Sequence, residues 1–346
     1  MFTIELSDSD CRQIQALIAD LRGHHTSVED EALLDDLAVY SHEMPRAVRL
    51  RANEFRLREP SGGCLFTGFP VDDLRIGDTP AGWNNVPDQP DRHSPTLTED
   101  LYFLLCASLL GDPIAWATQQ DGQLLHDVIP IKGHENEQIN SSTTAPLWWH
   151  TEDAFHPYRA DYVGLLCLRN PDAVETTFTE FDDLVLDRDT IEILLQPRYV
   201  IRPDESHLVK NRAASSRLRV SADLLQRSYD RVSGMQADPP KVPVLFGDPQ
   251  RPYGRLDPYF MDRIEDDPRA MEAFDLFVKE IDDKISSVRL KPGDALFIDN
   301  YKAVHGRKPY TARFDGRDRW LRRVNLSRDL RKSRDARMAA HSRVIF

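Results

Sequence analysis

Polar and apolar positions alternate over residues 3–6, the period of a short strand, and then give way to the helical spacing of "CRQIQALIADLR", which Ser7 or Ser9 is placed to cap. A second helix is predicted over "EDEALLDDLAVYS", a glycine-opened strand over "GGCLFTGFPV", and a Pro/Asn/Asp-rich loop over "TPAGWNNVPDQPDRHSP". The run "TEDLYFLLCASLL" predicts a third helix that ends at Gly111. Beyond it the apolar runs shorten and are bounded by turn residues: "PIAWATQQ", "LLHDVIP", "LWWHTEDAF", "DYVGLLCLRN", "RYVIRP", "KVPVLFGD", "YGRLD", "SVRLKPGDALFIDN" and "RWLRRVNLSR". A series of short strands builds a sandwich or barrel. Helices at about 181–196 and 267–284 interrupt it, so the pattern predicts an α+β fold, a double-stranded β-helix (jelly roll) core with flanking helices.

The 346 residues, 40% of them hydrophobic, suffice for one sizeable core. We read a single domain over 1–346, with a helical N-terminal part to about 111, a jelly-roll core over about 112–330, and a basic tail over 331–346 that is helical or partly disordered. A formal charge of −13 repels nucleic acid and anionic membranes at long range, which argues against both as partners and favours small cationic ligands. The first residues lack a basic segment followed by a long apolar one, and "YFLLCASLL" is far short of a membrane span, so a cytoplasmic location is expected. Cys11, Cys64, Cys106 and Cys167 lie scattered in apolar segments without C-x-x-C spacing, the pattern of buried free thiols.

Candidate chemistry begins at "PLWWHTEDAFHPYRADY", where His150 and Glu152 follow two tryptophans. On a strand, i and i+2 face the same way, so both can ligate one metal ion while Thr151 points out. Eleven histidines in so acidic a chain give about two His-X-Asp/Glu matches by chance, so a core hydrogen-bond network competes with the metal reading. Downstream, "LKPGDALFIDNYKAVHGR" offers a tight turn at Pro292 and Gly293, a strand ending at Asn300, and then His305, a third ligand from a neighbouring strand. Two histidines and one carboxylate on one side of Fe(II) leave positions open for a bidentate cosubstrate and oxygen, whereas zinc prefers a more closed tetrahedral set. In "RWLRRVNLS", Arg319, Leu321 and Arg323 share one strand face and Arg322 takes the other. Two guanidinium groups so placed suit carboxylate recognition, although arginine-rich strands are often just surface. His126, His156 and His207 lack metal spacing, and Trp148 and Trp149 supply one core side chain and one facing outward.

His150, Glu152, the distant His305 and Arg319, fourteen residues beyond it, together resemble the Fe(II)/2-oxoglutarate-dependent oxygenases of the clavaminate synthase-like group. The block "WHTEDAFHPYRADYVGLLCLRNPD", within a similarity running from about 60 to 330, resembles more closely the arginine β-hydroxylases of nonribosomal peptide antibiotic pathways. The resemblance implies Fe(II) on His150, Glu152 and His305, with 2-oxoglutarate and O2 as cosubstrates. It implies that Arg319 binds the distal carboxylate of 2-oxoglutarate with Thr177 as hydroxyl partner. Thr176 faces oppositely, so a one-residue slip exchanges the two. By the same resemblance Arg323 takes the substrate carboxylate, Gln119 and the second oxygen of Glu152 meet the α-amino end, and Asp204 and Ser206 lie on a lid in "RPDESHLVKNRAASSRL". Asp257 of "YGRLDPYFM" is the expected guanidinium partner, with Asp248 next in line. The family carries a second acidic residue two positions on, where this chain has Tyr259.

The implied activity is hydroxylation of a free basic L-amino acid, L-arginine at Cβ with further oxidation at Cγ open, coupled to conversion of 2-oxoglutarate to succinate and CO2 in antibiotic biosynthesis. Lysine or citrulline hydroxylation or desaturation is the nearest alternative. A non-catalytic jelly-roll metal-binding protein is the alternative from another class, and it has no need of Arg319. Halogenases of the family vacate the carboxylate position, which Glu152 fills here.

Overall fold

The computed structural model describes residues 1–83, 94–139, 141–209 and 221–346. Local signals set the N-terminal layer. Ser7 caps the helix Asp8–His24 in a capping box with Asp10, and Asp30 caps Glu31–Ser41. The helix Leu97–Ser108 is buried on nearly every side, and its two buried acids, Glu99 and Asp100, are paired with Arg75 and Arg322. A further helix, Arg46–Arg58, was not legible because seven polar or charged positions surround its narrow stripe of Val48, Ala52 and Phe55. These helices cover one face of an eight-stranded sheet with Phe66, Phe103, Phe297 and Val324 in the shared core.

The large sheet runs in the order Phe2–Glu5, Gly63–Thr67, Ala295–Asp299, Tyr162–Arg169, Trp320–Ser327, Asp112–Trp116, Val344–Ile345, with His126–Val128 also paired to Trp320–Ser327. The first and last pairings are parallel and the rest antiparallel. Facing it is an antiparallel sheet of Ser286–Val288, Thr176–Glu180, Ala303–Arg307 and Leu147–His150. The helices Arg188–Leu194 and Pro268–Lys284 cover its outer face around Trp149, Phe277 and Val304. Between the sheets Leu165, Cys167, Phe178, Leu296, Ile298 and Leu321 fill the closed end of the jelly roll, so the open end is left for a site.

Several expectations are revised. The tail is ordered: short 3-10 turns over Leu330–Ala336 lead to Val344–Ile345, which adds an edge strand to the large sheet, and Arg337 is buried on the carbonyls of Leu330, Ala340 and Ser342. The predicted 181–196 helix is a 3-10 turn followed by Arg188–Leu194, which Asp187 caps. Ala222–Ala237 is helical on the apolar spacing of Leu225, Tyr229 and Val232, behind the cap Ser221. Parts of the 79–95 loop and of the 202–218 segment lie outside the described residues. Three cysteines are buried, Cys11 is half-buried, and all are free. Gly293 turns with φ +89° as expected, and a Cβ there would lie 1.8 Å from the Phe69 carbonyl.

Candidate active site

His150 ends its strand, and Glu152 stands in the turn that follows, so the two converge across a strand end and not along one strand face as the alternation suggested. Thr151 does point away, its hydroxyl on the Leu256 carbonyl at 3.2 Å. His305 arrives from the adjoining strand, opposite His150 in register. Between His305 and Arg307 the register shifts, so Trp148 and Trp149 bulge opposite Gly306; the imidazole is re-aimed at the sheet end, as bulges beside active sites do. A side chain at 306 has no room, since a Cβ would meet the Leu147 carbonyl at 2.6 Å.

The Nε2 atoms of His150 and His305 lie 3.7 and 3.4 Å from Oε2 of Glu152, and the three donor atoms fall within 4.8 Å of one another. His150 donates Nδ1–H to the Trp148 carbonyl at 2.8 Å, which directs its Nε2 lone pair inward, the arrangement a metal-ligating histidine takes. Burial opposes charge on His150, yet Glu152 and Asp257 outweigh it and raise the imidazole to about 9. Burial likewise opposes the Glu152 carboxylate, but Arg323 and the two imidazoles hold it well below the usual range. Burial lowers His305. Two imidazole Nε2 atoms and an ionised carboxylate converging in one buried spot fit a divalent cation, which would take the place of the proton on His150.

Arginine positions divide as the alternation predicted. Arg322 faces the helical layer and is chelated by Asp100 and Asp127. Arg323 faces the site, where it donates to Oε1 of Glu152, to Oε1 of Gln119 at 2.9 Å, and to Nδ1 of His126 at 2.7 Å. Thus Arg323 orients the metal-facing carboxylate as well as lining the cleft. Arg319 is buried at 5% exposure, and its Nε has no hydrogen-bond partner among the described residues. Burial lowers its pKa, with only Tyr310 and Cys167 opposing. Arg307, which the same period-two spacing from His305 could have revealed, is pushed down to about 10 by burial and then by Arg319. It holds the 142–145 loop through the Ser142 and Ala145 carbonyls. Two guanidinium groups, Arg307 and Arg319, are therefore buried near one another, and among the described residues no carboxylate pairs with Arg319.

The expectation for Thr177 is corrected. Thr177 pairs with Gly306 and lies on the outer face with Thr179, whose hydroxyl meets Ile281 of a covering helix. Thr176 pairs with Arg307 and shares the inner face with Phe178 and His305, so the slip of one residue is the observed case. Gln119 is buried and bonded at both ends, to Arg323 and to Ser206 Oγ at 2.6 Å, and it does not line the cleft.

Outside the triad opens a narrow cleft. His150, Glu152, Asp204, Ser206, Asp257 and Arg323 line it, with Trp148, Tyr259 and Phe260 at its apolar side. Burial raises Asp257 to about 6 and Asp204 adds to the shift, while His150 opposes it. Asp248 is exposed on a separate hairpin and takes no part. Sequence reading missed Asp153, which also lines the cleft; its one signal in the chain is its place directly after Glu152, and the turn holds it at φ +49°.

Two imidazoles and a carboxylate at the open end of a double sheet, over a buried guanidinium, define a jelly-roll oxygenase of the mononuclear metal type. Residues 106–325 match the taurine catabolism dioxygenase TauD, TfdA family, and the chain belongs to it. It is 48% identical over 348 residues to the enduracididine beta-hydroxylase of Streptomyces hygroscopicus, covering 100% of each. It is 41% identical to the L-ornithine/L-arginine 3-hydroxylase of Catenulispora acidiphila, again over 100% of each, and 28% identical to clavaminate synthase 2 of Streptomyces clavuligerus over 86% of this chain and 83% of that one. The crystal structure of non-heme iron oxygenase OrfP in complex with Fe, succinate, and (3S)-hydroxy-L-Arg matches with a TM-score of 0.91 at 40% identity, covering 100% of both chains.

Proposed function

We propose that the chain hydroxylates a free basic L-amino acid, L-arginine at Cβ with Cγ as a second position, using Fe(II), 2-oxoglutarate and O2 and releasing succinate and CO2. One observation carries the reading: buried Arg319 has no partner for its Nε among the described residues, while two acids, Asp204 and Asp257, line the cleft beside His150 and Glu152. An anionic cosubstrate belongs inside and a cationic substrate outside, with the metal between them. A metal-binding protein without catalysis has no use for Arg319. Hydroxylase names and a hydroxyarginine complex among the relatives support the same choice.

In this reading His150, Glu152 and His305 hold the iron, which with 2-oxoglutarate and O2 supplies an oxidant able to remove a hydrogen atom from carbon. Arg319 pairs with the distal carboxylate of 2-oxoglutarate, and Thr176 stands on the same interior face to donate its hydroxyl. Arg323 fixes Glu152 and offers its guanidinium to the substrate carboxylate. Asp257 and Asp204 receive the side-chain charge, and Asp204 with Ser206 shields the cleft from water. Orientation of one C–H bond towards the metal is the task left to the protein. All 346 residues act as one domain, in the cytoplasm, in assembly of a nonribosomal peptide or related antibiotic. Among the described residues, no helix is long and apolar enough to cross a membrane.

A second reading has one feature in its favour. Tyr259, half exposed and edge-on to Phe260 at 4.9 Å between centroids, offers an aromatic face where a second carboxylate was expected. A guanidine closed into a ring, as in enduracididine, suits one carboxylate and a flat apolar neighbour. The test for both is incubation with Fe(II), 2-oxoglutarate and L-arginine, enduracididine, L-lysine or L-citrulline, followed by mass spectrometry. A product heavier by one oxygen, absent with His150→Ala or His305→Ala, is expected. Substrate-independent succinate formation, or full activity in either variant, would sink the assignment.

A further inference from the structure

His207 has no part in the triad and no metal spacing in the sequence, yet it is 1% exposed and follows directly on Asp204 and Ser206, which line the cleft. It belongs to the 3-10 turn Glu205–His207, which Asp204 caps by accepting the Ser206 N–H at 2.8 Å. Its Nε2 meets Oδ1 of Asp153 at 2.8 Å, and its Nδ1 meets the Thr118 hydroxyl at 2.7 Å. Asp153 directly follows Glu152, and its other oxygen accepts from Trp116 Nε1 and, at 3.3 Å, from Asn325. The imidazole packs edge-on against Trp116 and Phe155, with centroids at 5.7 and 5.0 Å. Asp153, Asp204 and His207 are close enough to suggest a second metal set, but both ring nitrogens are engaged and Asp204 is held by its own turn, which leaves no histidine lone pair for an ion.

We infer that His207 is a positioning residue: it latches the turn carrying Asp204 and Ser206 onto the metal-bearing turn at Asp153, and so fixes one wall of the cleft at a set distance from the triad. Gln119 completes the link from the other side, bridging Ser206 Oγ to Arg323. Without the latch, the wall loses its registry with the metal while the triad and Arg319 keep theirs. Substrate holding suffers and cosubstrate binding does not. The inference rests on the amino-acid hydroxylase reading only for the choice of substrate.

The test combines hydrogen exchange of the full chain with kinetics of His207→Gln and His207→Asn. A glutamine amide nitrogen reaches the position of Nε2 and an asparagine amide nitrogen that of Nδ1, so only the first retains the bond to Asp153. In His207→Asn, amides of residues 206–208 should exchange about tenfold faster or more, the KM for L-arginine should rise about tenfold, and succinate should exceed hydroxylated product. The charge-transfer absorption of the anaerobic Fe(II)–2-oxoglutarate complex should be unchanged, and His207→Gln should lie near wild type. Wild-type exchange and KM in His207→Asn would overturn the latch, as would loss of the charge-transfer absorption in step with activity. Should neither variant fold, the wild type decides: amides 206–208 exchanging as in an unstructured peptide overturn the latch. An absence of arginine turnover in the wild type counts against the proposed function and leaves the exchange result to judge the latch.

Discussion

A buried charge short of partners costs free energy, and two groups of opposite sign stand in that position: Arg319, whose Nε has no hydrogen-bond partner among the described residues, and Asp257, which accepts the Tyr259 N–H at 3.2 Å and is raised to about 6 by burial. In the proposed reading a ligand meets each. Arg319→Ala should raise the requirement for 2-oxoglutarate by about 2–4 kcal/mol of lost binding, read as the concentration dependence of succinate formation. Thr176→Val should raise the same KM about fivefold and Thr177→Val leave it nearly unchanged, because one hydroxyl faces the interior and the other the covering helices. Equal effects would mean that the register does not govern the contact. For Asp257 the sign follows from the direction of its shift. A carboxyl raised to about 6 is protonated below that pH in the free protein, so its burial weakens stability as pH rises through about 6, while a bound guanidinium favours the charged form. The apparent affinity for L-arginine should therefore climb with pH through about 6 and level above it, with L-citrulline flat over the same window. Asp257→Asn should remove the climb and cost arginine about 2 kcal/mol in kcat/KM, measured by steady-state kinetics from pH 5 to 8.

At the scale of elements, the site exists because a strand end, a turn and a bulged neighbour meet. Gly306 is the point of closest approach: the Leu147 carbonyl, the Thr177 hydroxyl and the Trp149 N–H occupy the space a side chain would need. Gly306→Ala must push the 303–307 strand off the 147–150 strand, and His305 moves with it. We expect a loss of about 2 kcal/mol in stability by thermal or denaturant unfolding and a weakened Fe(II) affinity by titration; unchanged iron binding would show that the bulge does not aim His305. Legibility at this scale was uneven for physical reasons. Capped helices such as Asp8–His24 carry their own start signal in Ser7 and Asp10, and period-two spacing sorted Arg319 and Arg323 from Arg322. Arg46–Arg58 was hidden because a helix resting on a sheet by three residues needs only a narrow apolar stripe. Thr177 was misplaced because both threonines suit a strand equally, and only cross-strand register decides which one faces in.

Across the whole molecule, neighbouring arginines divide stability from activity. Arg322 ties the buried helix Leu97–Ser108 to the large sheet through Asp100 and Asp127, both under 8% exposed, and burial of its charge is more than offset by those two carboxylates. Arg322→Ala strands two buried acids, and should cost about 3 kcal/mol or more of stability while the protein that remains folded keeps its turnover number. Arg323→Ala also strands a buried acid, Glu152, but there the protein that remains folded should lose hydroxylation and bind iron more weakly, because Glu152 loses its anchor. Unfolding curves and single-point assays of the two variants side by side separate these outcomes. Identical profiles would contradict the division of faces.

By itself the sequence determined the jelly-roll class, through its run of short strands bounded by turn residues, and nominated His150, Glu152, His305, Arg319 and Arg323 through a family resemblance more than through local spacing. Tertiary structure alone decided that Thr176 and not Thr177 faces the interior, that Arg323 spends its donors on Glu152, Gln119 and His126, that Arg319 has a bare Nε, and that His207 meets Asp153 across 54 residues. Those facts depend on register and on which distant segments share a layer. A one-residue slip or a different neighbour would leave the local pattern intact and change every contact.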